Sequence, residues 1–485
     1  MTNPCDLPAV AARRLIGAKR LSPVELLESC IARIEAVDHA VNAMVARDFD
    51  RARGAALAAE RAVMQGEALG LLHGLPVGIK DLEETGGLRT TFGSTLFADN
   101  VPEADERGIA SLRAAGAIVL GKTNTPEFGA GANTRNAVYG ATGNPFDPTK
   151  SCAGSSGGSA VALATGMVPL ASGGDVGGSL RNPAAFCGVV GFRPSPGVVA
   201  SERRGLGWSG LPVNGPMARS VEDACLMLAA MASDDARDPL AVRRMEAFQP
   251  PRAVDLATLR VAVTADFGFA PVERGVRATF AAVTQPLRSL FAAAADATPD
   301  CRDADTSFAV LRAVSFLAAH ADKVRTHPDQ VGPNIRANVA EGLRCSAADV
   351  AQAELAQTAL YRRWQQFFGD FDIIITPAIA ITPRPWRELF PTAIDGVATQ
   401  SYYHWLALAY AVTLAGHPAV CIPAGLDTAG MPFGLQIVGP RGGDAFVLAA
   451  AAALQAVLPP RPLPDLARLR AAPPIRLMEG FLGFG

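Results

Sequence analysis

Two glycine-rich clusters that contain serine lie close together in the chain. The first reads CAGSSGGSA over residues 152–160, and the second reads GGDVGGSLR over residues 173–181. A serine hydroxyl can attack a carbonyl carbon, but it is a weak nucleophile until a neighbouring base removes its proton. Glycine lets the backbone turn tightly and approach a substrate closely. The two clusters therefore indicate nucleophilic catalysis at one of their serines.

The base for such a serine has to come from elsewhere, because the glycine-rich region contains no histidine. Lysine can act as the base when it is held neutral, and burial favours its neutral form. Lys80 ends the apolar run LPVGIK, and no carboxylate is obviously placed to stabilise its charge. Taken alone, Lys80 is equally consistent with an ordinary lysine at a strand end. If the strand continues, Asp81 points to the opposite face and supports the fold.

One stretch, GAIVLGKT at residues 116–123, matches the phosphate-binding P-loop pattern. A P-loop is a turn that follows a strand and wraps its N–H groups around phosphate. Here the letters between the glycines, AIVL, have the composition of a strand, and Pro126 follows too closely for a helix to begin at Lys122. We therefore expect no nucleotide site here.

Another stretch, GSSGG at residues 154–158, matches the GxSxG pattern of the α/β-hydrolases and nominates Ser156 as the nucleophile. That pattern needs a strand directly before it and a helix directly after it. The preceding stretch, NPFDPTKSC, carries two prolines and is typical of a loop. His404 and His417 could act as the base, but no acidic partner stands out. An esterase that uses Ser156 stays as a minor alternative.

Lys80, the AGSSGGS loop and the DVGGSLR turn together resemble the amidase signature family. That family keeps the spacing seen here between its two catalytic serines, since Ser179 follows Ser155 by 24 residues. The resemblance covers nearly the whole chain, through HGLPVGIKD, GKTNTPEFG, NPFDPTKSCAGSSGGSA, SGGDVGGSLRNPAAFCGVVGFRPS, GPMARSVEDA, DIIITPAIA, GHPAVCIPAG and GMPFGLQIVGP in this order. So many ordered matches are far more specific than either short pattern.

The resemblance implies a role for each of these residues. Ser179 is the nucleophile, Ser155 is a bridging serine that follows a cis peptide bond, and Lys80 is the base at the end of the relay. The oxyanion hole would consist of four successive backbone N–H groups, those of Val176, Gly177, Gly178 and Ser179. Such donors stabilise the charge that develops on the carbonyl oxygen. This chemistry needs no cofactor and no metal.

Two charged residues, Asp175 and Arg181, flank the turn that carries Ser179. They either fix this turn through hydrogen bonds or form a purely structural pair. The loop of Ser155 departs from the family pattern, because Cys-Ala at residues 152–153 replaces the common Pro-Gly. Neither replacement touches the implied proton path, but both bear on the shape of the loop.

The substrate site is expected to involve two further stretches. Phe128 and Gly129 lie in the loop NTPEFGAG, and Tyr402 lies in the aromatic stretch of residues 386–405. These stretches are expected to line the acyl side of the site. For the aromatic side chains, packing in the core is an equally good explanation.

Composition excludes several functional classes. A net charge of −2 without a basic block argues against nucleic acid as a partner. The eight cysteines include no CxxC pair and the six histidines are dispersed, which favours reduced thiols in a cytoplasmic protein and no metal site. The N-terminal stretch lacks the apolar core of a signal peptide, and the apolar run FVLAAAAALQAVL is too short to cross a membrane.

The elements that position these residues alternate between helix and strand. A capping box at residues 22–25 opens one N-terminal helix, and a second helix is predicted over about residues 45–65. From Leu75 onward, continuous apolar runs bounded by glycine and proline are typical of strands buried on both faces. We therefore expect an α/β protein: a single large α/β/α domain with a central mixed sheet covered by helices. Residues 1–70 would be a helical region packed on the core of residues 71–485, in which residues 230–365 form an insertion or a lid.

These motifs predict hydrolysis of a carboxylic amide C–N bond through an acyl-enzyme on Ser179. The substrate would be a small apolar or aryl amide, and ester or carbamate cleavage is left open. The alternative is the glutaminase subunit of a tRNA-dependent amidotransferase, which would need protein partners and tRNA. No nucleic acid or membrane is expected as a partner of the hydrolase, and homodimer formation is left open.

Overall fold

The computed structural model describes residues 3–241 and 247–477. Within these residues, eleven strands form one central sheet and four short strands form two separate ribbons. The strands are β1 (Met44–Arg47), β2 (Pro76–Lys80), β3 (Ile118–Thr123), β4 (Arg135–Asn136), β5 (Gly140–Ala141), β6 (Leu170–Asp175), β7 (Val190–Arg193), β8 (Val213–Ala218), β9 (Arg260–Val263), β10 (Ala293–Asp296), β11 (Ile373–Pro377), β12 (Ala393–Ile394), β13 (Val397–Ala398), β14 (Ala419–Leu426) and β15 (Pro432–Val438).

Helices of the described ranges surround this sheet. They are α1 (Ala9–Gly17), α2 (Pro23–Val41), α3 (Phe49–Gln65), α4 (Arg107–Ala114), α5 (Gly157–Ala164), α6 (Arg181–Cys187), α7 (Val221–Met231), α8 (Arg274–Leu287), α9 (Ala304–Thr326), α10 (Pro333–Arg344), α11 (Ala347–Asp370), α12 (Ala407–Ala415), α13 (Asp444–Val457) and α14 (Leu466–Ala471). Short 3₁₀ helices cover Pro4–Asp6, Thr95–Phe97, Glu127–Gly129, Leu256–Thr258, Arg288–Leu290, Pro328–Gln330, His404–Leu406 and Ile475–Leu477.

The central sheet is mixed, and its strands run in the order β1-β3-β2-β6-β8-β7-β14-β15-β11-β9-β10. Strand β2 is parallel to both of its neighbours, β3 and β6, whereas β6 and β8 are antiparallel. Every residue of β2, β3 and β7 is buried, which matches their continuous apolar runs. The predicted α/β domain with a central mixed sheet covered by helices is confirmed.

The N-terminal region contributes more than helices to the core. The predicted capping box is present, since the Ser22 hydroxyl accepts from the Val24 N–H and the Glu25 carboxylate accepts from the Ser22 N–H. The helix predicted over about residues 45–65 begins later, at Phe49, because residues 44–47 form β1 and pair antiparallel with β3 at the sheet edge. A strand of only four residues was hidden within the helical pattern.

Two strands of the central sheet lie in the region predicted as a possible insertion or lid, residues 230–365. Strand β9 pairs with β11 and β10 pairs with β9, so both extend the central sheet. The long helix α9 packs against α10, α11 and α12. Within the described ranges, residues 230–365 thus contribute two strands to the central sheet and the packed helix α9.

The P-loop match at residues 116–123 lies in a strand, as the sequence predicts. Strand β3 contains both Gly121 and Lys122, and all of its residues are buried. Nζ of Lys122 donates to Oγ1 of Thr85 at 3.0 Å and to the carbonyl oxygen of Glu83.

No described helix is both long and apolar enough to cross a membrane.

Candidate active site

The parallel pairing of β2, β3 and β6 brings the carboxyl ends of three strands to one edge of the sheet. Lys80 is the last residue of β2, and Asp175 is the last residue of β6. Ligands bind open α/β sheets at this edge, where loops follow the strands. The turn of Ser179 begins directly after β6, so the topology delivers the predicted lysine and the predicted nucleophile to the same place.

Lys80 is 1% exposed, and its amino group faces the loop of Ser155. Nζ of Lys80 lies 2.7 Å from Oγ of Ser155 and donates to the carbonyl oxygen of Gly174 at 3.4 Å. Burial lowers the pKa of Lys80 to about 7, because the charged ammonium loses its solvation. A large share of the lysine is therefore neutral near neutral pH and able to accept a proton.

The prediction that no carboxylate stabilises the charged lysine is wrong. Glu83 and Asp175 both raise the pKa of Lys80, although burial outweighs them. Glu83 is 3% exposed, and its Oε2 accepts from the Ser172 hydroxyl, which in turn accepts from the Lys80 N–H at 3.1 Å. The other oxygen, Oε1, has no hydrogen-bond partner among the described residues. Sequence spacing gave no hint of this contact, since it depends on how the chain turns after β2.

The loop of Ser155 has an unusual backbone. The peptide bond between Gly154 and Ser155 is cis, as the resemblance implies. Ala153 has a φ of 58°, in the left-handed region that favours glycine, which explains why the family pattern has glycine there. Gly129 closes over the loop at a φ of 71°, and a Cβ there would lie 3.4 Å from Oγ of Ser155.

Asp175 organises the turn that carries Ser179. Its carboxylate accepts from the N–H groups of Gly178 at 2.9 Å and Leu180 at 3.1 Å. It also forms buried ion pairs with Arg181 at 2.9 Å and with Arg193 at 3.2 Å. Burial acts to raise the pKa of Asp175, but the two guanidinium groups hold it well below its ordinary value. Both predicted alternatives therefore hold: the carboxylate fixes the turn and is part of a structural ion pair.

The N–H groups of the turn differ in their availability. The Gly178 N–H is engaged by Asp175. Within the described ranges, the N–H groups of Val176, Gly177 and Ser179 make no protein hydrogen bond. Gly178 has a φ of 99°, and a Cβ there would lie 2.5 Å from Cβ of Ala409. Only glycine fits this point of the turn.

Ser156 does not meet the requirements of a hydrolase nucleophile. Helix α5 does follow it directly, but the residues before it form a loop, as predicted. Its side chain is fully buried and donates weakly to the Gly174 carbonyl at 3.4 Å. His417 lies elsewhere, stacked 5.4 Å from the Trp364 ring, with Nδ1 bonded to the Gly439 carbonyl. His404 contacts the Gln400 N–H instead.

A cavity of about 310 Å³ opens over Ser155 and Ser179. We call it the Arg312 chamber, and its lining includes Lys80, Phe128, Gly129, Ser155, Val176, Gly177, Ser179, Phe308, Arg312, Phe316, His320 and Leu406. Three aromatic rings and a leucine make much of its wall apolar. The structure thus places Phe128 and Gly129 at the cavity, together with the serines, as expected.

Tyr402 is predicted to contact the substrate, but it does not line the cavity. Its hydroxyl accepts from the Arg312 guanidinium and from Nδ2 of Asn338 at 2.6 Å. The guanidinium of Arg312, and not the tyrosine ring, faces the chamber. The structure therefore does not place Tyr402 in the cavity lining, and its hydroxyl is linked to the chamber through the hydrogen bond from Arg312.

A second cavity of about 360 Å³ adjoins the first. We call it the Glu83 chamber, and its lining includes Lys80, Glu83, Glu106, Gly174, Arg203, Arg204 and Asn214. Lys80, Gly174 and Asn214 line both chambers, whereas Ser155 and Ser179 line only the first. Burial raises the pKa of Glu106 to about 8, and the negative charge of Glu83 adds to the effect. The site therefore has two adjoining compartments that share part of their lining, Lys80 included.

A metal site is not evident in the described ranges, where no group of three or more His, Cys, Asp or Glu side chains could hold an ion. Residues that the sequence analysis missed are Glu83, Arg193, Arg312 and His320. The last two lie on α9, where Phe308, Arg312, Phe316 and His320 follow one another at a spacing of four residues, which is the helical signal that the sequence offered.

Comparison with known proteins gives consistent relatives. The amidase family model matches residues 25–448. An acylamidase of Rhodococcus erythropolis is 35% identical over 459 residues, which cover 93% of this chain and 96% of that protein. A glutamyl-tRNA(Gln) amidotransferase subunit of Anaeromyxobacter dehalogenans is 33% identical over 493 residues, covering 95% and 98%. The crystal structure of a bacterial aryl acylamidase of the amidase signature enzymes aligns with a TM-score of 0.88 at 27% identity, over 96% of this chain and 97% of that one.

Proposed function

The chain belongs to the amidase family and hydrolyses amide C–N bonds, and from this premise we propose that it cleaves small apolar or aryl amides through an acyl-enzyme on Ser179. Lys80, Ser155 and Ser179 form the catalytic triad of this proposal. The observation that carries it is the 2.7 Å approach of Lys80 Nζ to Ser155 Oγ, at a lysine whose pKa burial lowers to about 7.

Acylation begins with a proton relay. Neutral Lys80 takes the proton of Ser155, Ser155 takes the proton of Ser179, and Oγ of Ser179 forms a bond to the amide carbonyl carbon. The carbonyl π electrons move to oxygen, and the N–H groups of Val176, Gly177 and Ser179 stabilise the resulting oxyanion. Each such donor contributes about 10²–10³-fold in other serine hydrolases. We retain Gly178 for the shape of the turn, because its N–H serves Asp175.

Collapse of the tetrahedral intermediate releases the amine. The C–N bond breaks, and the proton held by Lys80 returns through Ser155 to the departing nitrogen. Water then attacks the acyl-enzyme while the same relay removes its proton, and Ser179 leaves with a proton as the carboxylic acid forms. One base and one bridging serine thus act in both halves of the reaction.

The substrate class follows from the chamber and from the relatives. Phe128, Phe308, Phe316 and Leu406 give the Arg312 chamber an apolar wall, and about 310 Å³ suits a small molecule. The relatives include an acylamidase and an aryl acylamidase. We therefore place the acyl group or an aryl part of a small amide against this wall, with ester and carbamate cleavage as extensions of the same chemistry.

A second candidate is the glutaminase subunit of a tRNA-dependent amidotransferase. The observation in its favour is the similarity to several amidotransferase subunits, at 32–33% identity against 35% for the acylamidase. A stand-alone hydrolase needs no partner subunits, whereas the amidotransferase needs them together with tRNA. Co-purification of partner subunits, or glutaminase activity that exceeds anilide cleavage, would favour this second candidate. A cytoplasmic location and a homodimer stay predictions of the sequence.

The test is a substrate panel. Purified wild-type protein and Ser179→Ala are assayed side by side for product release from amides, anilides, esters, carbamates and glutamine. We expect turnover of at least one small apolar amide or anilide by the wild type and none by Ser179→Ala. Equal activity in the two proteins on the preferred substrate would refute the assignment of the nucleophile.

A further inference from the structure

A single charged side chain projects from helix α9 into the Arg312 chamber. Arg312 is 7% exposed, and together with Phe308, Phe316 and His320 it forms the helix face that lines the cavity. Its guanidinium donates to the Tyr402 hydroxyl, and its Cζ lies 4.3 Å from the centre of the Phe316 ring. Arg312 therefore lines the same cavity as Ser155 and Ser179, and its contacts with Tyr402 and Phe316 hold the guanidinium in position.

Among the described residues, the charge of Arg312 has no carboxylate paired directly with it. No carboxylate of a described residue lies within 4.0 Å of its guanidinium. Glu341 on α10 interacts with it only at longer range, and burial raises the pKa of this carboxyl. The rings of Phe316, Tyr402 and Tyr403 surround the guanidinium at 4.3–5.2 Å, which offsets part of the cost of burying it. Buried charges in proteins are normally paired, so the structure leaves room for an anion at this point.

Two other titratable groups around the chamber, Asp175 and His320, do not supply that anion or compete for it. Asp175 is already paired with Arg181 and Arg193. Burial lowers the pKa of His320 to about 4, so its imidazole is uncharged at neutral pH, and its buried Nδ1 has no partner among the described residues. Arg312 thus places a guanidinium group in a chamber whose remaining wall is mostly apolar.

From this arrangement we propose that Arg312 binds a carboxylate at the far end of the acyl group, so that the preferred substrates are amides of dicarboxylic acids in which one carboxylate is free. A planar guanidinium matches a carboxylate in a two-point geometry. Tyr402 and Asn338 position the guanidinium and do not contact the substrate. The inference rests on the proposed amide hydrolysis and adds the substrate class.

The acyl group, and not the amine, occupies the Arg312 chamber because the amine has to leave on the side of the proton relay. The relay delivers a proton to the departing nitrogen from Ser155 and Lys80, so the amine lies on the side of Lys80. The Glu83 chamber adjoins Lys80, and its lining includes the polar side chains of Glu83, Glu106 and Asn214, which can hydrogen-bond a neutral amine that leaves with the proton of the relay. The acyl group then extends the opposite way, into the chamber of Arg312.

The test compares two matched series of p-nitroanilides. One series carries a terminal carboxylate on the acyl chain, from succinyl to suberoyl, and the other replaces that carboxylate with an isopropyl group of similar shape. For the wild type, we expect kcat/KM to favour the carboxylate series by about 10–100-fold at the best chain length, mainly through KM, as a buried charged hydrogen bond contributes about that much. In Arg312→Met the ratio should fall to one or below.

Three controls make the outcome decisive. Arg325→Met, on the exposed end of the same helix, should keep the wild-type ratio. Tyr402→Phe keeps the guanidinium but removes its support, and we expect an intermediate ratio, which carries the test should Arg312→Met not fold. Acetyl-4-aminobenzoate, with its carboxylate on the amine side, should show no dependence on Arg312.

The possible results separate the two levels of inference. A wild-type enzyme that cleaves the neutral series as well as the carboxylate series contradicts the role of Arg312 and leaves amide hydrolysis intact. If Arg312→Met leaves the ratio of kcat/KM between the two series unchanged, the role of Arg312 is likewise contradicted and amide hydrolysis stays intact. The guanidinium would then serve only to pack against the aromatic rings. Failure of the wild type to cleave any anilide or amide contradicts the proposed function itself.

Discussion

Replacement of Lys80 by arginine separates a base from a mere positive charge. With an ordinary pKa of 10.5, only about 0.03% of a lysine is neutral at pH 7, whereas a pKa of about 7 leaves about half of it neutral. The burial of Lys80 thus increases the supply of neutral base by about 10³-fold. Guanidinium keeps its proton throughout the accessible pH range. We expect Lys80→Arg to lose about 10²–10⁴-fold in kcat/KM, much like Lys80→Met.

The dependence of kcat/KM on pH shows whether the working form of Lys80 is neutral or charged. Because the working lysine is neutral, kcat/KM should rise tenfold per pH unit below about pH 7 and level off above it. The assay is kcat/KM on the best anilide between pH 5 and 10, with thermal melting curves to confirm that each variant is folded. The rising limb should be absent from both Lys80 variants.

A second buried lysine provides the matched control. Burial lowers the pKa of Lys122 to about 8, and its amino group donates to Thr85 and to the Glu83 carbonyl, away from the serines. Lys122→Met should keep the rising limb even where it lowers stability. Near-normal activity in Lys80→Arg, or a limb that disappears with Lys122 and not with Lys80, would refute the assignment of the base.

The remaining predictions concern neighbours of the relay. Ser156→Ala should keep substantial activity, measured as kcat/KM, since its hydroxyl is buried against Gly174. Asp175→Asn should lower the free energy of unfolding in urea by about 3–5 kcal/mol, because two buried guanidinium groups lose their carboxylate; no change would contradict its structural role. Glu83→Gln should shift the rising limb of the pH profile to lower pH, as Glu83 raises the pKa of Lys80. Lys80→Met should stabilise the protein at pH 7 by up to about 4 kcal/mol, before the lost contact with Ser155 is subtracted. The gain should shrink toward pH 10, because the lysine of the unfolded chain also loses its proton there. Equal unfolding curves at both pH values would count against a buried neutral lysine. Treatment with EDTA should leave activity unchanged, since no metal-ligand spacing occurs in the sequence; loss of activity that one divalent ion restores would overturn this.

The strands around the catalytic residues could be predicted because their signal is local. The run LPVGIK is continuous and apolar, and residues 76–80 of it form the fully buried strand β2. The dense motifs of the Ser155 loop and the Ser179 turn indicate the family, and the family resemblance in turn predicts the cis peptide bond before Ser155. By contrast, β1 was hidden because four residues are too few to show a period inside an alanine-rich helical pattern.

The residues that the sequence analysis missed depend on contacts between distant segments. Arg193 reaches Asp175 across 18 residues because β7 and β6 both pair with β8, an order that no local pattern encodes. Arg312 donates to Tyr402 across 90 residues, so no local pattern shows that this tyrosine supports an arginine. Burial of Glu83 beside Lys80 likewise depends on the path of the chain after β2.

Identification of the acylated serine tests the proposed mechanism most directly. A slowly hydrolysed aryl carbamate is allowed to react with the wild type, and the adduct is located by mass spectrometry. Trypsin would leave all the candidate serines in one peptide, residues 151–181, whereas cleavage before Asp147, Asp175 and Asp223 separates residues 147–174 from residues 175–222. We predict the carbamoyl group on Ser179 in the second peptide, with no adduct in Ser179→Ala. An adduct on Ser155 or Ser156 in the first peptide would contradict the mechanism.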